Sequence, residues 1–255
     1  METLRQAAAA HMKGDLRAAL TLLGQAIEEN PDDGDAWQML AVLHFEAADI
    51  AEAERCNARA LSLDPDNGAA LNTEGNILKA RGRLEDAVKS YERTLQLAPD
   101  LPQALTNLGD ALRRLGRLDA ALKHCRKAAI LAPDLAAAHG NLGAVLFDRG
   151  DWKAAGGSLK AALALAPEDT SIRINLARLE ARRGDAGSAR DHARLAQNGV
   201  TSNAEQCNSL ASVFYDIGDL ETAKEMANLA LGQNPDLADA HNNLGNILTG
   251  LGMRE

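Results

Sequence analysis

The sequence contains few of the features that mark an extracellular or membrane-bound protein. Its three cysteines, Cys56, Cys125 and Cys207, lie far apart and form no C-x-x-C pair, so neither a disulfide framework nor a paired-thiol metal site is indicated. No apolar run approaches the roughly eighteen residues of a membrane-spanning helix, and the first ten residues contain no secretory apolar stretch. We therefore expect a cytoplasmic protein without membrane association.

Aromatic residues and an excess of basic residues are also lacking. Only 3% of the residues are aromatic, and the net charge is -9 at pH 7. An acidic chain is not attracted to phosphate backbones, so we expect no nucleic-acid partner. The chain is nevertheless 46% hydrophobic, mostly alanine and leucine, which favours an all-α protein with small and aliphatic side chains between closely packed helices.

Proline and glycine both recur with a period of 34 residues. The proline series skips one place, which Thr201 holds, and the glycine series skips one place, which Ala48 holds. The prolines are Pro31, Pro65, Pro99, Pro133, Pro167 and Pro235, and the glycines are Gly14, Gly82, Gly116, Gly150, Gly184, Gly218 and Gly252. Because glycine favours the backbone that ends a helix and proline cannot continue one, each period predicts two helices separated by turns.

The apolar residues of each period follow helical spacing, with small residues at fixed places of both helices. In one period the places of a known motif are held by Trp37, Leu40, Ala41, His44, Ala53, Asn57 and Pro65. This pattern resembles the tetratricopeptide repeat, whose motif is W-x2-L-G-x2-Y, then A-x3-F, then P. The resemblance implies a right-handed α-solenoid of about seven and a half helix-turn-helix repeats, with the first helices lining a concave groove.

The resemblance covers the whole chain and implies one solenoid domain over residues 1–255. The repeats are 1–33, 34–67, 68–101, 102–135, 136–169, 170–203, 204–237 and a partial repeat 238–255. Because the last repeat keeps Gly245 and Leu248 on a face prepared for a second helix, we expect Glu255 to be a truncation point.

Asparagines recur in the middle of the first helices, where helix propensity does not explain them. The same place holds Asn107, Asn141, Asn175 and Asn243; the place before it holds Asn72, Asn208 and Asn242; and three places after it stand Asn76, Asp110 and Asn246. A carboxamide has two donors and an acceptor, so such a row can bind an extended peptide backbone. The alternative is that these asparagines only brace neighbouring helices.

The stretches AHNNLGNIL and ALTNLGDAL are similar to the repeat arm of O-linked N-acetylglucosamine transferases, in which an asparagine ladder binds substrate peptides. The resemblance implies the same role for the asparagines here. Lys79, Arg113 and Arg178 make the central groove locally basic, which favours peptides with acidic side chains. Alternatively, these basic residues form a solvated face with charge partners.

We find no constellation that predicts catalysis, a cofactor or a metal site. Cys56, His124 and His192 share one place of the second helix but belong to alternate repeats, roughly 20 Å apart at ordinary helix spacing. The sequence therefore predicts a non-catalytic scaffold that binds a protein or peptide in its groove. Two alternatives stay open: the substrate-recognition arm of a larger transferase, glycosyl or sulfuryl, and self-association of the solenoid.

Overall fold

A computed structural model describes residues 2–200 and 203–252, so Thr201 and Glu255 lie outside the described residues. In these ranges every regular element is an α-helix, and no helix combines the length and apolarity that crossing a membrane requires. The helices are α1 (Glu2–Met12), α2 (Leu16–Glu29), α3 (Gly34–Glu46), α4 (Ile50–Leu63), α5 (Gly68–Ala80), α6 (Leu84–Leu97), α7 (Pro102–Arg114), α8 (Leu118–Leu131), α9 (Ala136–Asp148), α10 (Trp152–Leu165), α11 (Thr170–Arg182), α12 (Ala186–Gln197), α13 (Ala204–Asp216), α14 (Leu220–Gln233) and α15 (Ala238–Gly250).

The helices fall into two compact units, one ending at Leu131 and the other beginning at Ala132. In unit 1, helices α1 to α8 pair as four antiparallel hairpins, and in unit 2 the hairpins α9–α10, α11–α12 and α13–α14 are followed by α15. Within each unit, consecutive hairpins pack through their helices, and neighbouring first helices such as α3 and α5, or α13 and α15, also contact one another. The predicted all-α solenoid fold is confirmed.

The turn inside each hairpin contains a left-handed residue, and in five of the seven hairpins a side-chain helix cap follows it. All seven glycines of the periodic series have positive φ angles between 74° and 82°, as their spacing predicts. In five hairpins the next residue is an aspartate whose carboxylate accepts a hydrogen bond from the backbone N–H of the third residue after it. This bond caps the start of the second helix. These aspartates are Asp15, Asp49, Asp151, Asp185 and Asp219.

Glycines in the first helices allow the two helices of a hairpin to approach closely. A Cβ on Gly75 would collide with the Tyr91 ring, and one on Gly143 would collide with Leu159. Tyr91 and Leu159 are fully buried. In these two hairpins, therefore, a bulky side chain of the second helix packs directly against the backbone of the first helix.

One turn between repeats departs from the common geometry. Helix α12 has 12 residues, whereas the other second helices have 14. Its early end coincides with Gly199, a poor helix former, at a place where the other second helices carry longer side chains. A Cβ on Gly199 would lie 2.7 Å from Thr170 Oγ1, so the glycine also allows α11 to approach this turn.

Ala48 is the only non-glycine residue with positive φ in the described ranges, at 60°. Because a side chain in this conformation costs about 1 kcal/mol, we expect Ala48→Gly to raise the free energy of unfolding by about 1 kcal/mol. The reciprocal Gly116→Ala, at a turn where a Cβ meets nothing within 4 Å, should lower it by a similar amount. Urea denaturation measures both changes. If the two substitutions changed the free energy of unfolding in the same direction, the explanation would be contradicted.

Asn57 is the polar exception in the core. It occupies the place that Tyr91 and Leu159 hold in other repeats, is 2% exposed, and its Oδ1 has no hydrogen-bond partner in the described structure. It borders a cavity of about 370 Å³ between α4, α5 and α6 that Glu74 and Ser90 also line. An orphaned buried acceptor destabilises a fold, and the cavity leaves room for a branched apolar side chain.

We therefore expect Asn57→Leu to raise the free energy of unfolding by about 1–3 kcal/mol, because it removes the orphaned acceptor and fills part of the cavity. The matched reciprocal, Leu159→Asn, should lower it by at least as much. Denaturant unfolding monitored by circular dichroism provides both values. A loss of stability in Asn57→Leu would show that the amide is satisfied in solution.

Candidate peptide-binding face

The residues predicted to bind peptide all lie on first helices, and each is at least partly exposed. We call the surface that they form in each unit the ladder face. In unit 1 it comprises Asn72, Asn76 and Lys79 on α5 and Asn107, Asp110 and Arg113 on α7. In unit 2 it comprises Asn141 on α9, Asn175 and Arg178 on α11, Asn208 on α13, and Asn242, Asn243 and Asn246 on α15.

Four of the ladder asparagines form two pairs across neighbouring first helices. Asn107 Nδ2 donates to Asn72 Oδ1 at 3.3 Å, and Asn243 Nδ2 donates to Asn208 Oδ1 at 2.8 Å. Each pair uses one of the two N–H donors of one carboxamide and one acceptor site of the other. Bracing between helices is thus observed, and the remaining donors and acceptors of both pairs are left for a ligand.

The two asparagine pairs share a spacing of 35 residues, one period plus one, and the same spacing joins other first helices. Gln38 Nε2 donates to Thr73 Oγ1 at 3.4 Å, and Gln206 Nε2 donates to Ser171 Oγ at 2.8 Å. Side-chain hydrogen bonds therefore link α3 to α5 and α5 to α7 in unit 1, and α11 to α13 and α13 to α15 in unit 2. In the sequence, these links correspond to polar residues that stand one period plus one residue apart, a spacing that could have predicted them.

Asn175 differs from the paired asparagines. No side-chain partner is found for it in the described part of unit 2, and its carboxamide is partly exposed. The preceding repeat carries Gly140 at the place where Asn72 and Asn208 stand in the two pairs. Because glycine offers no side-chain acceptor, Asn175 keeps its full set of donors and acceptors at the surface.

The basic residues predicted for unit 1 form ion pairs with an acidic residue. Asp110 lies between Lys79, at 3.1 Å from Nζ, and Arg113, at 3.2 Å from a terminal guanidinium nitrogen. Burial alone raises the pKa of Asp110, but the attraction of Lys79 and Arg113 outweighs burial and lowers the pKa below its usual value. Asp110 thus offsets much of the positive charge of this part of the ladder face.

The Asn76 side chain is hydrogen-bonded to a residue of the core. The Tyr91 hydroxyl donates to Asn76 Oδ1 at 2.7 Å. Burial, with a smaller contribution from Asp110, raises the pKa of Tyr91, so the hydroxyl remains a donor at ordinary pH. The same tyrosine that fills the space over Gly75 therefore also orients a ladder side chain.

In unit 2 the predicted basic residue, Arg178, contacts an aromatic ring. The guanidinium carbon of Arg178 on α11 lies 4.9 Å from the centroid of the Phe147 ring on α9, within the range of a cation–π interaction. Lys79 and Asp110 are also 31 residues apart, so the same two places of neighbouring repeats are joined by an ion pair in unit 1 and by a cation–π contact in unit 2.

Comparisons with known proteins agree with this architecture. One tetratricopeptide repeat family model matches residues 72–136 and 141–203, and another matches residues 10–77. No curated protein matches the chain. The resemblance to the transferase ladder stays a prediction.

Several solved structures are similar in fold at low sequence identity. In a crystal structure of the APC/C hetero-tetramer Cut9–Hcn1, the similar chain is 19% identical with a TM-score of 0.79, and the alignment covers 95% of this chain and 48% of that one. This chain thus spans about half of that subunit. A tetratricopeptide repeat protein from Parabacteroides merdae is 17% identical with a TM-score of 0.70, over 97% and 98% of the two chains. PilF of Pseudomonas aeruginosa is 19% identical with a TM-score of 0.60, over 84% and 97%.

The Asp110 cluster predicts a specific dependence of stability on pH. A carboxylate whose folded pKa is depressed stabilises the fold above its unfolded pKa, 3.8 for aspartate, and loses this contribution as the pH falls through the folded value. We expect Asp110→Asn to be less stable than wild type at neutral pH and the difference to shrink as the pH falls from about 5 to about 2. Asp86→Asn, which removes two surface ion pairs, to Arg83 and to Lys89, should show a smaller change because solvent screens them. Parallel unfolding curves over this pH range test the expectation; a constant difference would contradict it.

Proposed function

The chain belongs to the tetratricopeptide repeat family, and on that premise we propose that it is a non-catalytic scaffold that holds an extended peptide segment of a protein partner on its ladder face. Proteins of this family generally mediate protein–protein interactions and are generally non-catalytic scaffolds. The proposal assigns the contact to the asparagines of the first helices. It leaves the second helices outside the site.

The observation that carries the proposal is the pairing of Asn72 with Asn107 and of Asn208 with Asn243. Each hydrogen bond limits the rotation of two carboxamides, so little side-chain entropy is lost when a ligand binds them. Carboxamide groups pair well with peptide N–H and C=O groups, which every peptide offers in the same arrangement. The ladder face is therefore suited to recognise a peptide backbone and to tolerate many side chains.

Selectivity for peptide side chains would come from the basic residues, and they differ between the units. In unit 1, Asp110 offsets Lys79 and Arg113. In unit 2, Arg178 stacks on Phe147 through a cation–π contact. We propose that the basic residues Lys79, Arg113 and Arg178 favour a peptide with acidic side chains.

The resemblance to a transferase arm implies a related use of the same face, in which the bound peptide is a substrate. In that case the full-length gene product transfers a sugar to the peptides that the ladder face selects. A glycosyltransfer assay on such peptides distinguishes this use from simple scaffolding.

The test begins with a linear peptide selected against the chain from a random library. We expect Asn175→Ala to weaken binding of the selected peptide by about tenfold, the effect of losing one to two hydrogen bonds, without lowering the melting temperature. Asn243→Ala should weaken binding and also lower the free energy of unfolding by about 1 kcal/mol, because it breaks the bond to Asn208. Titration calorimetry and thermal melting give the two readouts.

Asn228→Ala is the matched control, because Asn228 is an exposed asparagine on the second helix α14. It should leave the affinity unchanged. Methylation of backbone nitrogens in the peptide should weaken binding more than alanine substitution of its side chains. The proposal is wrong if Asn175→Ala binds like wild type, or if Asn228→Ala loses as much affinity.

A further inference from the structure

We propose that His44, Glu52 and Cys56 form a binding site for Zn²⁺ inside the second repeat, independent of the ladder face. Their ligand atoms all lie within 4.8 Å of one another. His44 lies in the last turn of α3, and Glu52 and Cys56 are four residues apart on the face of α4 that packs against it. The hairpin itself therefore brings one nitrogen, one oxygen and one sulfur donor together.

This donor set suits zinc better than the other common ions. Zn²⁺ is borderline soft and binds imidazole, thiolate and carboxylate at about 2.0–2.3 Å, whereas Mg²⁺ and Ca²⁺ prefer oxygen alone. Tetrahedral bonds of that length place the ligand atoms roughly 3.5 Å apart. Rotation of the partly exposed Glu52 side chain closes much of the remaining distance, and three protein ligands leave a fourth position for water.

Asp49 provides an orienting group of the kind that accompanies metal-bound histidines. Its Oδ2 lies 3.6 Å from His44 Nδ1, while its Oδ1 accepts the Glu52 N–H at 3.3 Å as the cap of α4. A carboxylate beside one ring nitrogen can orient the ring for metal binding through the other nitrogen, and a small shift of either side chain would bring the two within hydrogen-bond distance. The aspartate is fixed by its capping role whether or not an ion is present.

The charges around the three ligands are compatible with a cation. Arg55 contacts Glu52 through Oε2 alone, at 2.7 and 2.8 Å, so Oε1 remains for the ion. The second repeat, residues 34–67, contains seven acidic residues and two arginines. Its net negative charge therefore attracts cations. Sequence reasoning missed the set because it compared Cys56 with histidines in other repeats and not with His44 across its own hairpin.

The variants that test the site use residues that other repeats carry at the same places. Leu78 stands at the place of His44, Ala120 at that of Glu52, and Ser90 at that of Cys56. His44→Leu, Glu52→Ala and Cys56→Ser therefore place in the second repeat residues that fold in its neighbours. Cys125→Ser is the control, because Cys125 is equally buried and belongs to no such group of donors in the described chain.

The experiment titrates the chelator-treated protein with Co²⁺, a spectroscopic substitute for Zn²⁺, and follows absorption. Wild type and Cys125→Ser should bind one Co²⁺ with a thiolate-to-metal charge-transfer band that Zn²⁺ abolishes by competition. Cys56→Ser should lose the band, and His44→Leu and Glu52→Ala should weaken binding by at least about tenfold. Circular dichroism confirms that each variant is folded.

A wild-type protein without the charge-transfer band would overturn the proposal. So would a band that persists in Cys56→Ser, or one that Cys125→Ser abolishes. These outcomes are independent of peptide binding, which the calorimetric titrations of the asparagine variants report separately.

Discussion

The structure depends on one constraint: a helical hairpin of this size cannot bury its apolar face by itself and must pack against the hairpins beside it. Each repeat therefore has to present the same surfaces at the same places, and the 34-residue period follows from that requirement. The contact of Tyr91 with Gly75, and of Leu159 with Gly143, shows how the requirement is met within a hairpin. Where the core side chain is the polar Asn57, the structure has an orphaned acceptor and a cavity.

The same constraint produces a binding surface. Because the places repeat, a polar residue at one place of the first helix becomes a row, and neighbouring members of the row come within hydrogen-bonding distance. The pairs Asn72–Asn107 and Asn208–Asn243 arise in this way. A hydrogen bond between neighbouring helices and a hydrogen bond to a peptide backbone both require donors and acceptors such as those of a carboxamide. One asparagine side chain can therefore have both roles.

Much of the backbone could be predicted from the sequence, because it depends on local rules. The positive φ angles at Gly82 and Gly150 and the hairpin pattern followed from residue type and period. Side-chain partners depend on contacts between helices, which the period places only approximately. Charge partners for Lys79 and Arg113 were an open alternative, but Asp110 was assigned to the peptide and not recognised as that partner, although the positions of all three on the first helices were predicted correctly.

The approach of His44 to Cys56 was missed for a related reason. Comparing equivalent places in different repeats shows what recurs and hides what is particular to one hairpin. His44 holds a place where four other repeats carry leucine and none carries histidine, so its nitrogen donor is an individual feature of the second repeat. Likewise, the sequence has Gly140 one period plus one before Asn175, but the meaning of this spacing became clear only from the pairs in the other repeats.

The central claim is that the ladder carboxamides themselves contact the peptide. The most direct measurement is the titration of isotope-labelled protein with a selected peptide while the side-chain amide resonances of its asparagines are followed by NMR. The account predicts shifts for Asn72, Asn107, Asn175, Asn208 and Asn243 and none for Asn228 on α14. Shifts confined to asparagines of the second helices, with the ladder resonances unmoved at saturation, would contradict it.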